Sequence, residues 1–376
     1  MATALVLPEG APEEVITVAK VRDVDLTPFG FKGILALITL DNGLDHTRPN
    51  TLGPQSVASL DAAITEALSH KPAAIAVTGK PFIFAAGADL SAMSFLTERD
   101  QALAIGKLGH DVFRRLGEID IPTFSFINGL ALGGGLEIGL HSKYRTLAST
   151  AFTALPEVFL GLVPGWGGAT LLPKLIGPEK AVQVIILNAL NNNTMMKAKD
   201  ALALGVVDAV FEPADFLEKS VSFAASILAG TTTVERKDYS NDPAWESALA
   251  TGKAAALKKF GGADTAAPRK ALELIAAART CTNGEGFDAE DQVLADLVMS
   301  DALRASLYAF NMIQKKRKKV EGAPKANLAR KVSKVGVVGA GLMASQLALL
   351  LVRNLKCPVV MTDIDQARAD KGVAWV

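Results

Sequence analysis

The chain has 376 residues, enough for two or three folding units at roughly 150 residues each. Hydrophobic residues make up 49% and charged residues 21%, ordinary for a globular protein with a sizeable core. Lys plus Arg and Asp plus Glu both number 39, so no net field draws the chain to nucleic acid or to an anionic membrane. Two cysteines, Cys281 and Cys357, are too few for a disulfide framework or a cysteine-based zinc site. Four histidines without an HExxH pattern argue against a metal enzyme, and the cysteine usage fits a reducing cytoplasm.

The opening segment, MATALVLPEGAPEE, is acidic and lacks the basic and long apolar regions of a secretion signal. The 18 uncharged residues Val335–Val352 reach membrane-spanning length. Gly336, Gly339, Gly341, Ser345 and Gln346 interrupt them, so strand, turn and buried helix account for the stretch better than a membrane span.

In chain order, residues 1–30 read as an N-terminal extension and 31–230 as a core of alternating strands and helices. Ile34–Leu40 predicts a strand, Asp41–Pro54 a loop, and the apolar spacing of Gln55–Ser69 an amphipathic helix. Ala73–Thr78 and Thr123–Ile127 predict buried strands flanking a helix over 101–118. The pair Asn128-Gly129 predicts a turn, Gly133-Gly134-Gly135 a helix start, and Pro164–Gly168 a glycine-rich turn before a further helix. This alternation implies a mainly parallel sheet. Residues 231–320 combine a polar linker (Thr231–Asp242) with long helical patterns, ending in the basic run Lys315–Lys319, read as a solvated helix end. Residues 321–333 read as a second linker, and 334–376 as a strand–turn–helix–strand unit.

Two acids stand out. Glu137 is the only charge between Asp120 and Lys143, and Glu157 stands alone between Arg145 and Lys174. A carboxylate in apolar surroundings is paired, protonated or functional, because an isolated buried charge is costly. Both structural and functional readings stay open on spacing alone. The glycines tilt the balance: Ala85–Ala88 and Gly133–Gly135 let a ligand approach the backbone, and the second set opens a helix whose free N–H groups favour negative charge. Two converging N–H donors can hold an oxyanion, and two carboxylates beside them can place a water and move a proton.

At these residues the chain resembles the crotonase superfamily, the enoyl-CoA hydratase/isomerase family. The matching text is FAAGADL (84–90), NGLALGGGLE (128–137), LPEVFLGLVPGWGG (155–168) and AKDALALGVVD (198–208), and the resemblance covers roughly residues 30–315. It implies an α/β fold with a crotonase-like spiral core of ββα units and C-terminal helices. It also implies oxyanion donors at Ala88 and Gly134, an acid/base pair at Glu137 and Glu157, and substrate contacts at Ala86, Gly165 and Trp166. The reaction implied is hydration of a trans-2-enoyl-CoA, with no cofactor; Δ3-Δ2 isomerisation, needing one glutamate, and a silent CoA-binding scaffold are the alternatives. Ser91 stands where many members carry a CoA-contacting lysine, Leu130 replaces an often aromatic residue of the acyl pocket, and Asp89 reads as structural.

Gly339–Ala344 fits GxGxxA between a strand and a helix, with Asp363 closing a second strand 24 positions after Gly339. In this reading Gly339 makes the tight turn, Gly341 admits a pyrophosphate, Ala344 lets helix and strand pack, and Asp363 selects NAD over NADP. The segment 335–363 resembles the opening of the 3-hydroxyacyl-CoA dehydrogenase family. The order of the two units resembles the multifunctional α-subunits of fatty-acid β-oxidation. The resemblance implies acyl-CoA substrates, a homo-oligomer and a candidate thiolase partner. With Val376 ending one βαβ unit, an incomplete Rossmann domain without dehydrogenase activity is expected, its open edge packing poorly.

Overall fold

The computed structural model describes residues 10–313, 322–324 and 326–376; the basic run Lys315–Lys319 lies outside the described residues. They form two compact units, divided between Asn311 and Met312. The division precedes the linker expected at 321–333, because the last helix of the first unit buries only Leu303 and Leu307 and ends at Asn311.

The first unit is built on a six-stranded sheet. Its strands are β1 (Val18–Asp25), β2 (Ile34–Asp41), β3 (Ala74–Gly79), β5 (Thr123–Ile127), β7 (Tyr144–Ala148) and β10 (Ala209–Phe211), adjacent in that order. All pairs are parallel except β1 with β2. The central strands β3 and β5 are buried along their whole length, which is why they read as unbroken apolar runs. β1 corrects the expected extension: residues 18–25 are the sheet's edge. Exposed Val18, Lys20 and Arg22 alternate with half-buried Ala19 and Val21, a strand signal, and the charges protect an exposed edge.

A second, four-stranded sheet carries the chemistry. It orders β4 (Phe82–Ala85), β6 (Gly129–Leu132), β8 (Phe152–Ala154) and β9 (Met196–Lys197), with β4, β6 and β8 parallel. The expected turn at Asn128-Gly129 is instead the hand-over from β5 to β6. The Asn128 amide accepts from Gly79 N (3.1 Å) and donates to Gly79 O and Lys80 O (3.0 and 2.7 Å), fastening the strand exits together.

Helices α1 (Pro54–Ser69), α2 (Arg99–Glu118), α3 (Gly134–His141), α4 (Glu157–Leu160), α5 (Gly168–Ile176), α6 (Pro178–Val182), α7 (Ala198–Leu204) and α8 (Phe216–Leu228) connect the strands. Four helices complete the unit, α9 (Trp245–Lys259), α10 (Ala266–Ala278), α11 (Asn283–Val298) and α12 (Asp301–Asn311), with α11 lying against α2. A capping box, Thr282 with Glu285, starts α11.

The second unit pairs β11 (Val335–Val338) in parallel with β12 (Val359–Thr362) through α13 (Leu342–Leu355), as expected, and continues into α14 (Gln366–Trp375). Gly339 takes φ +102° in the turn, and Asp363 Oδ2 accepts from Ala340 N at 2.7 Å. Val338, Leu342 and Met343 are exposed around it. Among the described residues no helix is long and apolar enough to cross a membrane.

Candidate active site

Three neighbouring parallel strands of the small sheet end side by side, and each delivers one part of a single site. Strand ends of this kind open a crevice where ligands bind. β4 runs into the loop Ala86–Ala88, β6 into Gly133 and α3, and β8 into Pro156 and α4. The cavity between them, about 70 Å³ and open to solvent, is lined by Ala88, Gly134, Glu137, Glu157, Gly165 and Trp166; Ala86 also borders it. The sequence-predicted residues of this unit therefore meet in one place. Leu130 does not line this cavity, contrary to expectation, because the chain faces it only from Gly133 onward. Asp89 is structural, its Oδ1 accepting from Ser91 N at 2.9 Å.

The loop before α3 depends on glycine at two positions. Gly133 has φ +51°, and a Cβ there would lie 2.4 Å from Glu157 Oε1. A Cβ on Gly134 would lie 2.5 Å from the Trp166 ring and 3.6 Å from Ala88 N, so the Ala88 and Gly134 amides are close neighbours. Ala86 N donates to Asn50 O, and Asn50 Nδ2 in turn donates to Leu40 O and Phe84 O, which fixes the first loop. Among the described residues neither Ala88 N–H nor Gly134 N–H has an acceptor. Gly134 is the first residue of α3, where no intrahelical acceptor exists.

Glu137 is buried, and its Oε1 accepts from Trp166 N and Gly168 N, both at 2.8 Å. Burial, and then the charge of Glu290, push its carboxyl up to about 7, against the pull of those two N–H donors. Glu157 lies on the first turn of α4 with its Oε2 buried and without a hydrogen-bond partner. Burial, and then the charge of Glu137, hold it well above the usual carboxylate range. One pocket thus contains a carboxyl poised near neutrality and a second whose pKa burial and its neighbour push upward. Trp166 is 5% exposed; its Nε1 donates to Ile105 O and its ring meets Phe113 edge-on, so it forms a rigid wall.

Sequence reasoning missed the layer behind the pocket. Glu290 of α11 is fully buried and accepts from Gly167 N (2.6 Å) and Thr170 N (2.7 Å). His110 of α2 sits between Glu290 Oε2 (3.3 Å) and Asp291 Oδ1 (2.8 Å) and stacks on Phe287. The signal was present in the spacing: Phe287, Glu290, Asp291 and Leu294 share one buried stripe, so two acids occupy core positions.

In the second unit, a Cβ on Gly341 would meet nothing within 4 Å, and Asp363 lies beside the glycine turn. Gly341, Asp363, Arg368 and Lys371 border one cleft. The open approach at Gly341 and the adjacent carboxylate fit a dinucleotide.

Comparison with known proteins finds two family matches. Residues 30–273 match the family described as enoyl-CoA hydratase/isomerase, and 334–376 match the 3-hydroxyacyl-CoA dehydrogenase, NAD binding domain. The chain is 30% identical to the fatty acid oxidation complex subunit alpha of Shewanella loihica, over 80% of this chain and 42% of that protein. It is 30% identical to the protein of that description from Shewanella halifaxensis, over 91% of this chain and 48% of that one. The chain thus spans about half the length of the curated relatives it matches. Human mitochondrial delta3-delta2-enoyl-CoA isomerase superposes with a TM-score of 0.56 at 19% identity, covering 80% of this chain and 99% of the other, a likeness of fold alone.

Proposed function

The chain belongs to the enoyl-CoA hydratase/isomerase family, and from that premise we propose that its first unit adds water across the C2–C3 double bond of a trans-2-enoyl-CoA. The observation that carries this reading is the pairing of Glu137 and Glu157 at one cavity with the amides of Ala88 and Gly134. The thioester oxygen takes enolate charge between those two N–H groups, each worth about 3 kcal/mol of barrier if it behaves as other oxyanion donors do. Glu137, ionised above pH 7, activates the water for attack at C3. Glu157, whose burial favours its neutral form, delivers the proton to C2; its unpartnered Oε2 leaves the group free to bond a substrate or water. Gly165 leaves room for the reacting atoms, Trp166 walls the acyl side, and Ala86 contacts CoA. An isomerase needs one carboxyl rather than two, so the pair favours hydration.

The second unit is similar to the NAD-binding domain of 3-hydroxyacyl-CoA dehydrogenases. Bound in this unit, NAD would supply the hydride acceptor for oxidation of a 3-hydroxyacyl-CoA. Gly339, Gly341 and Ala344 would hold its pyrophosphate turn, and Asp363 its ribose hydroxyls. The whole protein then works in fatty-acid β-oxidation, in the cytoplasm, as a homo-oligomer with thiolase as a candidate partner. Loss of the enoyl-thioester absorbance of crotonyl-CoA tests the hydratase reading. A chain that isomerises a 3-enoyl-CoA but leaves crotonyl-CoA unchanged would replace it.

A further inference from the structure

The backbone turn Trp166–Thr170 is gripped by two acids from different helices. Glu137 of α3 takes the N–H groups of Trp166 and Gly168, and Glu290 of α11 takes those of Gly167 and Thr170. Those of Gly167, Gly168 and Thr170 are orphan donors at the start of α5, and that of Trp166 immediately precedes them. Two buried carboxylates sharing one turn repel each other, and an uncompensated buried charge is costly. The compensation is His110. Both of its ring nitrogens face carboxylates, Nδ1 to Asp291 and Nε2 to Glu290, the arrangement in which an imidazolium donates from both.

We propose that Glu290 and His110 are positioning residues for Glu137. Glu290 fixes the turn that Glu137 also holds, and the His110 cation, bonded to Glu290, offsets the negative charge gathered at that turn. The proposal rests on the hydratase reading for its effect on rate, but its charge assignment stands by itself. Burial would push His110 down, yet the bonds to Asp291 and Glu290 outweigh it and hold the ring up at about 9. The other titratable groups around Glu137 are Glu157 of α4 and His141 of α3. His141 donates Nε2–H to Trp166 O and stays neutral, its pKa depressed to about 3 by burial and then by the His110 charge.

The two residues act on Glu137 with opposite sign. Removing the cation with His110→Asn raises the Glu137 pKa, moving the acid limb of kcat/KM for crotonyl-CoA up by about one pH unit. Removing the anion with Glu290→Gln moves that limb down by about one unit, and the loosened turn lowers kcat about tenfold at constant KM. Limbs that stay put, or move in the same direction, would overturn the proposal. A histidine-selective NMR titration of the parent chain gives an activity-independent readout, with the His110 ring assigned through bonds from its own backbone resonances. A ring charged through pH 8 is expected, and a ring neutral at pH 7 would overturn the proposal even if neither variant folds. Absence of turnover in the parent would remove the hydratase reading while leaving this titration to decide the charge assignment.

Discussion

Replacing Gly134 with alanine tests the geometry of the oxyanion site. The new Cβ would lie 2.5 and 2.7 Å from two carbons of the Trp166 ring. Ordinary carbon contacts need about 3.5 Å, so ring and helix start must separate by about 1 Å. The ring cannot yield freely, because Nε1 is bonded to Ile105 O and its face is closed by Phe113. The start of α3 therefore moves, carrying the Gly134 N–H away from its neighbour at Ala88. A displacement of that size removes most of one oxyanion bond, about 3 kcal/mol, or a fall in kcat of about 10²-fold. KM should change little, because the lost bond strengthens only as charge develops. Overpacking would also cost about 1–3 kcal/mol of stability, so the variant must be shown folded by its melting curve. A folded Gly134→Ala chain with parental kcat toward crotonyl-CoA would refute the assignment of this amide.

Further expectations concern the scaffold and pH. The parent's kcat/KM should fall about tenfold per pH unit below pH 7 as Glu137 protonates, and a profile flat from pH 8 to 5 would remove it as the base. Arg145 is buried, with Asp208 accepting from its backbone N–H and standing 3.7 Å from its guanidinium. Asp208→Ala should cost about 3–5 kcal/mol in denaturant unfolding, and a loss under 1 kcal/mol would show that the cation is compensated elsewhere. Phe82 is 66% exposed at φ +67°, a backbone region that favours glycine. Phe82→Gly should raise the melting temperature, by about 1 kcal/mol of relieved strain, and a lower value would mean that its edge contact with His46 matters more. Glu14 bonds the N–H groups of Gln55 and Ser56 at the start of α1, so Glu14→Ala should cost about 1–2 kcal/mol.

What was legible in the sequence was local. The glycine pairs, the lone acids and the strand–helix alternation each sit within a few residues, and the structure brings Ala88, Gly134, Glu137 and Glu157 to one cavity. The contribution of residues 18–25 to the main sheet was not recognised, because charged side chains on an edge strand resemble a polar extension. The His110–Glu290 pair joins residues 180 positions apart, a contact made only when α2 packs on α11. Neither residue lies in a motif, and a single histidine on an apolar face ordinarily reads as core. At Asn128-Gly129 the sequence is ambiguous, because the same dipeptide serves a hairpin turn and a strand exit.

The most direct test of the central claim is crotonyl-CoA hydration by this chain, beside Glu137→Gln and Glu157→Gln. The account predicts turnover by the parent and a loss of 10²-fold or more, roughly, in each variant, since each loses a proton-transfer group. A parent that binds CoA ligands without turnover, or a variant that retains full activity, would contradict it.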